Sequence, residues 1–511
     1  LVGSEMCIRD SFEGGGASAL SGGVVYAGGG TRQQLQAGYH DSPQAMFDYL
    51  TQEVRGVVRD DTLMRFCEQS KSQLEWLESH GVAFDSTMPA TKTSYPPDGC
   101  YLYFSGNETV PAYAGAAAPA PRGHRVVALG QSGAALYSAL RAQTLKHGAQ
   151  AITQAAVRRL VCEEGSGRVL GVEVWRVDPT SAAGRAHSRL NAKANRWRNW
   201  RAGAAERCRR QAAEIERQHA RAQLLRARRG VVLATGGFVF NRSMIKQHDP
   251  RYSRGWKNGH AGCDGSGIRL GLTIGAAADG LNTVSAWRFI TPPSSWMRGI
   301  VVNHEGQRFC SEDLYGATIG HAMVQEQGGK AWLVLDAQLR RAAIRECLFG
   351  KLWAFQRLPA LAMMMWGAKK GSNITSLAAA MGVNAATLSG EIQGYNDAAQ
   401  GGQTDPRGKA PDLCQPLAQA PFYALDISIG APLLPLATIT LGGLRVREED
   451  GQVMHQQGHV IPGLYAAGRA AIGVASHRYV SGLSLADCVF SGRRAGAAAA
   501  ATSAAANQAN P

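Results

Sequence analysis

The sequence lacks the paired cysteines that bind metal ions. Its ten cysteines are scattered through 511 residues without a C-x-x-C pair, so neither a zinc site nor an iron–sulfur cluster is predicted. It also lacks an apolar run of about 18 residues, which a membrane-spanning helix would need, and its first residues lack the basic and apolar regions of a secretory signal. We therefore expect a cytoplasmic protein that keeps its thiols reduced and holds no metal ion.

Acidic residues are scarce relative to basic ones. The chain has 39 Asp and Glu against 54 Lys and Arg, a net charge of +15, and residues 185–229 hold 14 of the basic residues with only three acids. That stretch is predicted to form one or two helices. Its few apolar side chains include Trp197, Trp200, Ile215, Leu224 and Leu225. No nucleic-acid-binding module accompanies the charge, so nucleic acid is not the expected partner. A solvated helical insertion and a peripheral contact with an anionic inner membrane face both stay open.

Apolar periodicity and turn residues predict alternating helices and strands. An N-capping serine followed by proline, Ser42-Pro43, predicts a helix that runs towards Arg55. The other predicted elements are a helix from Asp60 to Gly81 with Leu63, Phe66, Leu74 and Leu77 on its apolar side, a helix from Ser132 to His147, a hairpin about residues 165–167 and a buried strand at 230–237. This alternation indicates an α/β fold.

Glycine is abundant, with 61 residues against only 20 prolines. Four glycine clusters, at 14–23, 234–237, 262–276 and 462–468, each lie at the end of an apolar strand or the start of a helix. Backbone N–H groups at such places can face a phosphate or a flavin ring edge with no Cβ in the way. One cluster would be weak evidence, because most glycine-rich turns are only turns. Four in this order favour a bound cofactor.

Six motifs occur in an order that resembles the flavoprotein superfamily of fumarate reductases, succinate dehydrogenases and 3-ketosteroid Δ1-dehydrogenases. They are S-A-L-S-G-G, A-T-G-G, D-G-S-G, G-I-V-V-N-H-E-G-Q-R-F-C-S-E, T-L-G-G-L and P-G-L-Y-A-A-G-R. The resemblance implies an α/β fold with a discontinuous FAD-binding Rossmann-type domain, formed by 12–280 and 432–496, and an inserted α+β catalytic domain at 281–431. Residues 497–511 are expected to be a disordered tail.

One part of the family pattern is missing at the start of the chain. The family opens with a strand, a G-x-G-x-x-G turn and a helix, followed by an acidic residue for the ribose. This chain enters the pattern only at SFEGGGASALSGG, and residues 1–11 have no strand-turn-helix character and resemble a translated sequencing adaptor. We expect that the first βαβ element is missing and that this polypeptide binds FAD poorly. Purification of a bright yellow, fully loaded protein would contradict that expectation.

The resemblance implies non-covalent FAD, because no histidine occupies the segment through which succinate dehydrogenases attach it. The helix that Ser484 and Leu485 open is expected to point its positive end at the flavin. The residues implied to contact the cofactor are Gly15, Gly16, Ala17, Ser18, Ser21, Gly22, Gly23, Ala234, Thr235, Gly236, Gly237, Asp264, Gly267, Gly468, Arg469, Ser484 and Leu485.

Three positions indicate the branch of the superfamily. The dicarboxylate enzymes place a histidine before the T-x-G-G turn, an arginine ahead of the last glycine motif and an arginine proton donor after the R-F-x-x-E segment. Here these positions hold Ile439, Tyr479 and the segment Leu314-Tyr315-Gly316. The apolar and phenolic replacements resemble the 3-ketosteroid Δ1-dehydrogenases.

Removal of hydrogen from two adjacent carbons beside a ketone requires a base for the α-proton, donors to the carbonyl oxygen and a hydride acceptor. The resemblance implies Tyr315 as the base, Tyr479 and the Gly482 N–H as carbonyl donors, and Tyr103 as a second phenol that assists the base. Flavin N5 takes the hydride. Tyr315 and Gly482 each lie one residue closer to their motifs than in the family. Two explanations stay open: a loop absorbs the shift, or the chain has a related substrate and a different base.

We therefore expect an FAD-dependent dehydrogenase that introduces a C=C bond α,β to a ketone in a steroid-like or other apolar cyclic substrate. It would pass its electrons to an external acceptor. Two alternatives stay open. One is a flavin-dependent reductase of an activated C=C bond, and the other is a peripheral membrane flavoprotein with a degenerate site, which docks through residues 185–229.

Overall fold

The computed structural model describes residues 6–8, 14–197 and 201–501. Within these ranges no helix is both long and apolar enough to cross a membrane. The strands are β1 Met6–Ile8, β2 Val24–Tyr26, β3 Leu102–Tyr103, β4 Gly123–Arg125, β5 Gln150–Ile152, β6 Ala155–Cys162, β7 Val169–Arg176, β8 Arg221–Arg226, β9 Val231–Leu233, β10 Trp256–Lys257, β11 Ala278–Asp279, β12 Val284–Trp287, β13 Ile300–Val302, β14 Trp332–Leu335, β15 Lys369–Gly371, β16 Phe422–Asp426, β17 Ala437–Thr440, β18 Gly443–Leu444, β19 Gln452–Met454 and β20 Val460–Ala466.

The helices surround these strands on several sides. They are α1 Gly16–Ala19, α2 Arg32–Gln36, α3 Pro43–Val54, α4 Asp60–Glu68, α5 Ser70–Ser79, α6 Pro111–Ala114, α7 Gly133–Lys146, α8 Ala182–Trp197, α9 Ala202–His219, α10 Arg242–His248, α11 Ser266–Leu272, α12 Gly316–Glu326, α13 Ala337–Phe349, α14 Ala354–Ala362, α15 Ile374–Met381, α16 Ala385–Gly401 and α17 Leu483–Ala501. A π-helical turn, Met363–Gly367, continues directly from α14.

A three-stranded sheet joins two distant parts of the chain. β9 pairs in parallel with β20, and β19 pairs with the other side of β20. The prediction that β9 is a buried strand is wrong for Val232, which is 38% exposed. Within the described residues β9 is at the edge of this sheet, so only one of its long sides is covered.

The segment 281–431 contains an antiparallel sheet of its own. Its strands lie in the order β13, β14, β16 and β15, and Val301, Leu333 and Leu425 on them are completely buried. β12 belongs to the segment 281–431 but pairs with β17, which lies outside it. In this pairing Trp287 is opposite Ala437. That pairing places Trp287 beside the C-terminal part of the chain.

The basic stretch forms two helices and a strand. α8 and α9 pack against each other, whereas β8 pairs with β7 along residues 221–226. The helical prediction is therefore wrong for 221–226, because an extended backbone there gains a full ladder of hydrogen bonds with β7. Trp200 lies outside the described residues.

Several local predictions are confirmed. Ser42 caps α3 by accepting a hydrogen bond from the Ala45 N–H at 3.0 Å, α7 covers most of the predicted helix that ends before Gly148, and β6 and β7 form the predicted hairpin. The prediction of one helix from Asp60 to Gly81 is wrong, since α4 and α5 meet at Gln69. The four apolar residues predicted for that segment are nevertheless buried.

The two ends of the chain depart from the predictions. No strand was expected in residues 1–11, but β1 pairs in parallel with β5, because an apolar triplet can complete the edge of a short strand. Residues 1–5 and 9–13 lie outside the described residues. The tail was expected to be disordered from 497 onwards, but α17 continues to Ala501, since alanine has the highest helix propensity. Residues 502–511 also lie outside the described part.

A buried histidine on β4, His124, makes the fold sensitive to acid. The His124 Nδ1 lies 3.1 Å from the Arg122 carbonyl and must donate to it, so Nε2 accepts from the Thr31 hydroxyl at 3.0 Å. Burial lowers the pKa of His124 from its ordinary 6.5 to about 4. The unfolded chain therefore takes up a proton at a higher pH than the folded protein does.

We expect the free energy of unfolding to fall as the pH decreases from 6.5 to about 4, by a total of about 3 kcal/mol from His124. Urea unfolding across this pH range measures the loss. His124→Gln, which cannot titrate, should show a correspondingly smaller dependence on pH. An equal dependence in both proteins would contradict the assignment.

Candidate active site

The four glycine clusters of the sequence meet at one cleft. The cleft has a volume of about 2660 Å³, and Gly15, Gly236, Gly262 and Gly468 each line it. Most of the predicted cofactor residues line it as well. They are Gly15, Gly16, Ala17, Ser18, Ser21, Gly22, Ala234, Thr235, Gly236, Asp264, Gly468, Arg469, Ser484 and Leu485. The structure thus brings together segments that are more than 400 residues apart in the chain.

Three predicted glycines do not line the cleft and instead allow close packing behind it. A Cβ on Gly23 would lie 2.6 Å from the backbone of Ser132, and one on Gly237 would lie 2.3 Å from Thr440 Oγ1. Gly267 lies on α11 and has the same role. A Cβ added to Gly267 would lie 2.3 Å from the hydroxyl oxygen of Thr235, which lines the cleft.

Positive charge is concentrated where the C-terminal segment reaches the cleft. Arg469 lines the cleft, and its Nη1 is buried without a hydrogen-bond partner among the described residues. α17 begins at Leu483, so the unpaired N–H groups of its first turn lie where Ser484 and Leu485 line the cleft. This end of the cleft is suited to a negatively charged or electron-rich group.

Three tyrosines surround one serine hydroxyl at the other functional part of the cleft. The Tyr103 hydroxyl lies 2.9 Å from Ser481 Oγ, and the Ser481 side chain is also near enough to the phenols of Tyr315 and Tyr479 to lower the pKa of each. Tyr315, Tyr479 and Ser481 line the cleft, whereas Tyr103 is buried behind Ser481. The three predicted catalytic tyrosines therefore belong to one hydroxyl cluster.

Burial keeps all three phenols protonated. It raises the pKa of Tyr479 to about 12, although the charge of Arg469 and the nearby Ser481 side chain act in the opposite direction. Burial also raises the pKa of Tyr315 and that of Tyr103, and the Ser481 side chain opposes both increases. A proton acceptor in this cluster must therefore release its own hydroxyl proton as it takes one from a substrate.

The backbone around Tyr315 is fixed by a buried amide. Asn107 Oδ1 accepts a hydrogen bond from the Tyr315 N–H at 2.6 Å, and Asn107 Nδ2 donates to Glu53 Oε1 at 2.6 Å. Burial raises the pKa of Glu53, and its Oε1 also accepts from the Tyr49 hydroxyl at 3.2 Å. This network sets the position of Tyr315 at the start of α12.

Aromatic rings form the wall next to the cluster. The Trp287 ring lies 4.2 Å from the Tyr479 ring, and the Phe289 ring lies 5.7 Å from the Tyr315 ring in an edge-on arrangement. Trp287 and Phe289 both line the cleft. Flat apolar walls of this kind suit an apolar ring system.

Gly482 supplies a backbone donor beside Tyr479. Its φ is +90°, and a Cβ there would lie 2.7 Å from the Tyr26 nitrogen, so the position requires glycine. Its carbonyl accepts from the Tyr26 N–H at 3.1 Å, and no described residue accepts from its own N–H. The Gly482 N–H is thus available to a ligand in the cleft.

Sequence reasoning missed Ser481, Asn107 and the aromatic wall. Ser481 lies two residues after Tyr479 and directly before Gly482, so its position between two predicted site residues was a signal. Asn107 and Trp287 had no comparable signal, because their proximity to the tyrosines depends on strand pairing and loop packing.

Nearly the whole chain is similar to known proteins. The model of a family described as FAD binding domain matches residues 5–485. The chain belongs to this family. FAD is its cofactor, and it is an oxidoreductase with a mixed helix-and-sheet flavoprotein fold.

Three relatives illustrate the range of similarity within this FAD-binding family. The 3-oxo-5-alpha-steroid 4-dehydrogenase of Comamonas testosteroni is 47% identical over 481 residues, which are 91% of this chain and 88% of the relative. The 3-oxosteroid 1-dehydrogenase of Mycobacterium tuberculosis is 29% identical over 300 residues, 52% of this chain and 51% of the relative. The crystal structure of 3-ketosteroid-delta4-(5alpha)-dehydrogenase from Rhodococcus jostii RHA1, in complex with 4-androstene-3,17-dione, has a TM-score of 0.79 at 29% identity and covers 97% of this chain and 91% of its own.

The residues of the FAD-binding cleft fit the cofactor. The unpartnered Nη1 of Arg469 can meet an anionic or acceptor group. Gly236 has a φ of +76°, and the nearest atom to a Cβ built there would be the Cys263 Sγ at 3.4 Å. The space beside this glycine leaves room for a flat group. The start of α17 adds a positive helix end. An open glycine, a guanidinium nitrogen with no partner among the described residues and the N-terminus of a helix thus lie in one cleft.

Proposed function

We propose that this oxidoreductase introduces a C=C bond between C4 and C5 of a 3-oxo-5α-steroid. The observation that carries the proposal is the hydroxyl cluster of Tyr315, Tyr479, Tyr103 and Ser481 in an aromatic-walled cleft. The name of the Comamonas relative supports the position of the new bond, since the identity to it is higher and spans more of the chain than the identity to the 1-dehydrogenase.

The side chains at the predicted discriminating positions support a ketone over a dicarboxylate. Ile439 is buried and apolar, and Tyr479 presents a phenol in place of a cation. A phenol and a backbone N–H can both donate to one ketone oxygen, which stabilises the enol-like transition state of α-proton removal. Tyr479 and the Gly482 N–H are the donors in this proposal. FAD, when bound, supplies the acceptor for the hydride that leaves C5.

Ser481 connects proton removal with proton donation. The proton from C4 moves to the Tyr315 hydroxyl oxygen, the Tyr315 hydroxyl proton moves to Ser481, and the Ser481 proton moves to Tyr479 as Tyr479 protonates the ketone oxygen. Each side-chain oxygen gives one proton and receives one, and the ketone oxygen releases its proton to solvent as the hydride leaves C5, so no phenolate has to form among groups whose burial raises their pKa. Tyr103 holds the Ser481 hydroxyl in place from behind.

We also infer the domain organisation that the family resemblance implies. A discontinuous Rossmann-type FAD-binding domain would comprise 12–280 and 432–496, with the catalytic domain at 281–431 inserted between them. The parallel pairing of β9 with β20 supports this division, because these strands come from the two separated segments. An external electron acceptor would complete each turnover.

A product analysis tests the proposed function. The protein in saturating FAD, with an artificial electron acceptor, should convert a saturated 3-oxo-5α-steroid to the 4-ene-3-one, identified by NMR. A 1-ene product would contradict the assigned position. Absence of any desaturation by protein that has taken up FAD would contradict the function.

A further inference from the structure

A patch of exposed apolar side chains lies on α13, α14 and the π-helical turn. The apolar patch consists of Leu348, Phe349, Phe355, Leu358, Met365 and Trp366. Each of these side chains is more than half exposed, and Phe349 and Trp366 are 83% and 80% exposed. Large exposed apolar patches in soluble domains mark interaction surfaces.

Helical spacing places the patch on one face. Four patch residues lie on the helical segment 354–367, with spacings of three, seven and one residue between successive members. They are Phe355, Leu358, Met365 and Trp366. With these spacings they share one side of the helical segment. The opposite side contains Met363 and Met364, which are buried. This helical segment therefore has one apolar face that packs against the core and a second apolar face that is exposed to solvent.

The patch is continuous with the cleft. Phe355 and Leu358 also line the cleft. The Phe355 ring lies 6.4 Å from the Trp353 ring and 6.5 Å from the ring of Tyr95, which is another cleft-lining residue. The patch and the cleft therefore share two apolar side chains.

Positive charge is concentrated in the chain segment that carries the patch. The exposed cations of 337–371, here called the cationic border, are Arg341, Arg345, Lys351, Arg357, Lys369 and Lys370. Glu346 is the one acid in 337–371, and its carboxylate accepts hydrogen bonds from the backbone and hydroxyl groups of Ser294 and Ser295. The segment is therefore strongly cationic.

We propose that the apolar patch docks on an anionic lipid bilayer and places the mouth of the cleft at the membrane surface. Exposed Trp, Phe and Leu side chains enter the region between headgroups and acyl chains, and the surrounding Lys and Arg side chains attract anionic headgroups. A second copy of this chain is a poorer occupant, because a twofold interface sets the same cationic border against itself.

The charged hairpin of α8 and α9 is less suited to this role. Trp197 lies beneath the Lys193 ammonium at 4.5 Å and the Arg201 guanidinium at 6.0 Å, and it packs against the small core of Ala194 and Ala205. This tryptophan is therefore already covered. Among the described residues, the large exposed apolar side chains on the neighbouring strands are Leu224 on β8 and Trp175 on β7, and the Trp175 indole N–H is already hydrogen-bonded to Glu173.

Vesicle co-sedimentation tests the proposal. The full chain should bind vesicles of phosphatidylcholine with phosphatidylglycerol more strongly than vesicles of phosphatidylcholine alone, and high salt should weaken that preference. The double variant Phe349→Ser/Trp366→Ser should partition about tenfold more weakly. Lys369→Glu/Lys370→Glu should lose the preference for the anionic vesicles. Leu224→Ser, which removes an equally exposed apolar side chain elsewhere, is the matched control and should bind as the unaltered protein does.

The outcomes separate the possible anchors. Three results would overturn the proposal. They are unchanged vesicle binding by the Phe349/Trp366 variant, loss of vesicle binding by Leu224→Ser, and absence of vesicle binding by the unaltered protein. Patch-dependent dimers in sedimentation velocity, without vesicle binding, would instead identify a second copy as the occupant. Circular dichroism and FAD uptake of each variant establish that it is folded.

Discussion

Tyr315→Phe and Tyr479→Phe are each expected to lower kcat by about two to three orders of magnitude. In the proposed mechanism, Tyr315→Phe removes the oxygen that receives the C4 proton, and Tyr479→Phe removes the phenol that donates to the ketone. Both rings can stay in place, since Tyr315 packs edge-on against Phe289 and Tyr479 lies against Trp287. The loss should therefore come from chemistry and not from packing.

Two measurements distinguish these roles. Steady-state kinetics gives kcat and KM, and NMR of the steroid in deuterium oxide gives the rate at which the enzyme exchanges the C4 protons without net turnover. Tyr315→Phe should abolish the exchange, and Tyr479→Phe should slow it. Tyr423→Phe, a half-buried phenol outside the cleft, is the matched control and should retain full activity. Full turnover by both active-site variants would contradict the phenolic mechanism.

Ser481→Ala is expected to lower kcat by about two orders of magnitude while KM changes little. The alanine variant leaves all three phenols in place but removes the hydroxyl through which the proposed proton relay passes. In the proposed mechanism, Tyr315 must then form a buried phenolate in order to accept the C4 proton. Burial disfavours that charged form.

The pH dependence provides a signature that a structural role would not produce. We expect the activity of Ser481→Ala to rise with increasing pH, because the missing relay must be replaced by ionisation of a phenol. Ser481→Thr keeps a hydroxyl at the same position and should restore most of the activity at neutral pH. An alanine variant with unchanged kcat and an unchanged pH profile would show that the hydroxyl cluster is not a proton path.

Local signals in the sequence were sufficient for much of the fold. The cap at Ser42, the turn at 165–167 and the glycine that ends α7 depend on neighbouring residues, and each produced a correct element. β8 did not follow from local signals. Its residues favour a helix when taken alone, and only the neighbouring β7 makes the extended form more stable.

The site was predictable to the extent that motif order reflects it. Tyr315, Tyr479 and Gly482 come from motifs, and the structure places all three at the cleft. Their assigned roles remain predictions. The position of Ser481 between Tyr479 and Gly482 was a local signal, but its contact with Tyr103, 378 positions away in the chain, could be found only from the structure. Asn107 likewise reaches Tyr315 across 208 positions, and no spacing rule relates two such residues.

The central claim is that a saturated 3-oxosteroid gives its hydrogens to this protein. Anaerobic rapid mixing of the FAD-loaded protein with a saturated 3-oxo-5α-steroid, and no other electron acceptor, tests it most directly. The account predicts that the yellow absorbance of oxidised flavin disappears while the 4-ene-3-one forms in equal amount. Persistence of the oxidised flavin, together with rapid reoxidation of the reduced protein by an enone, would contradict the account and identify a reductase.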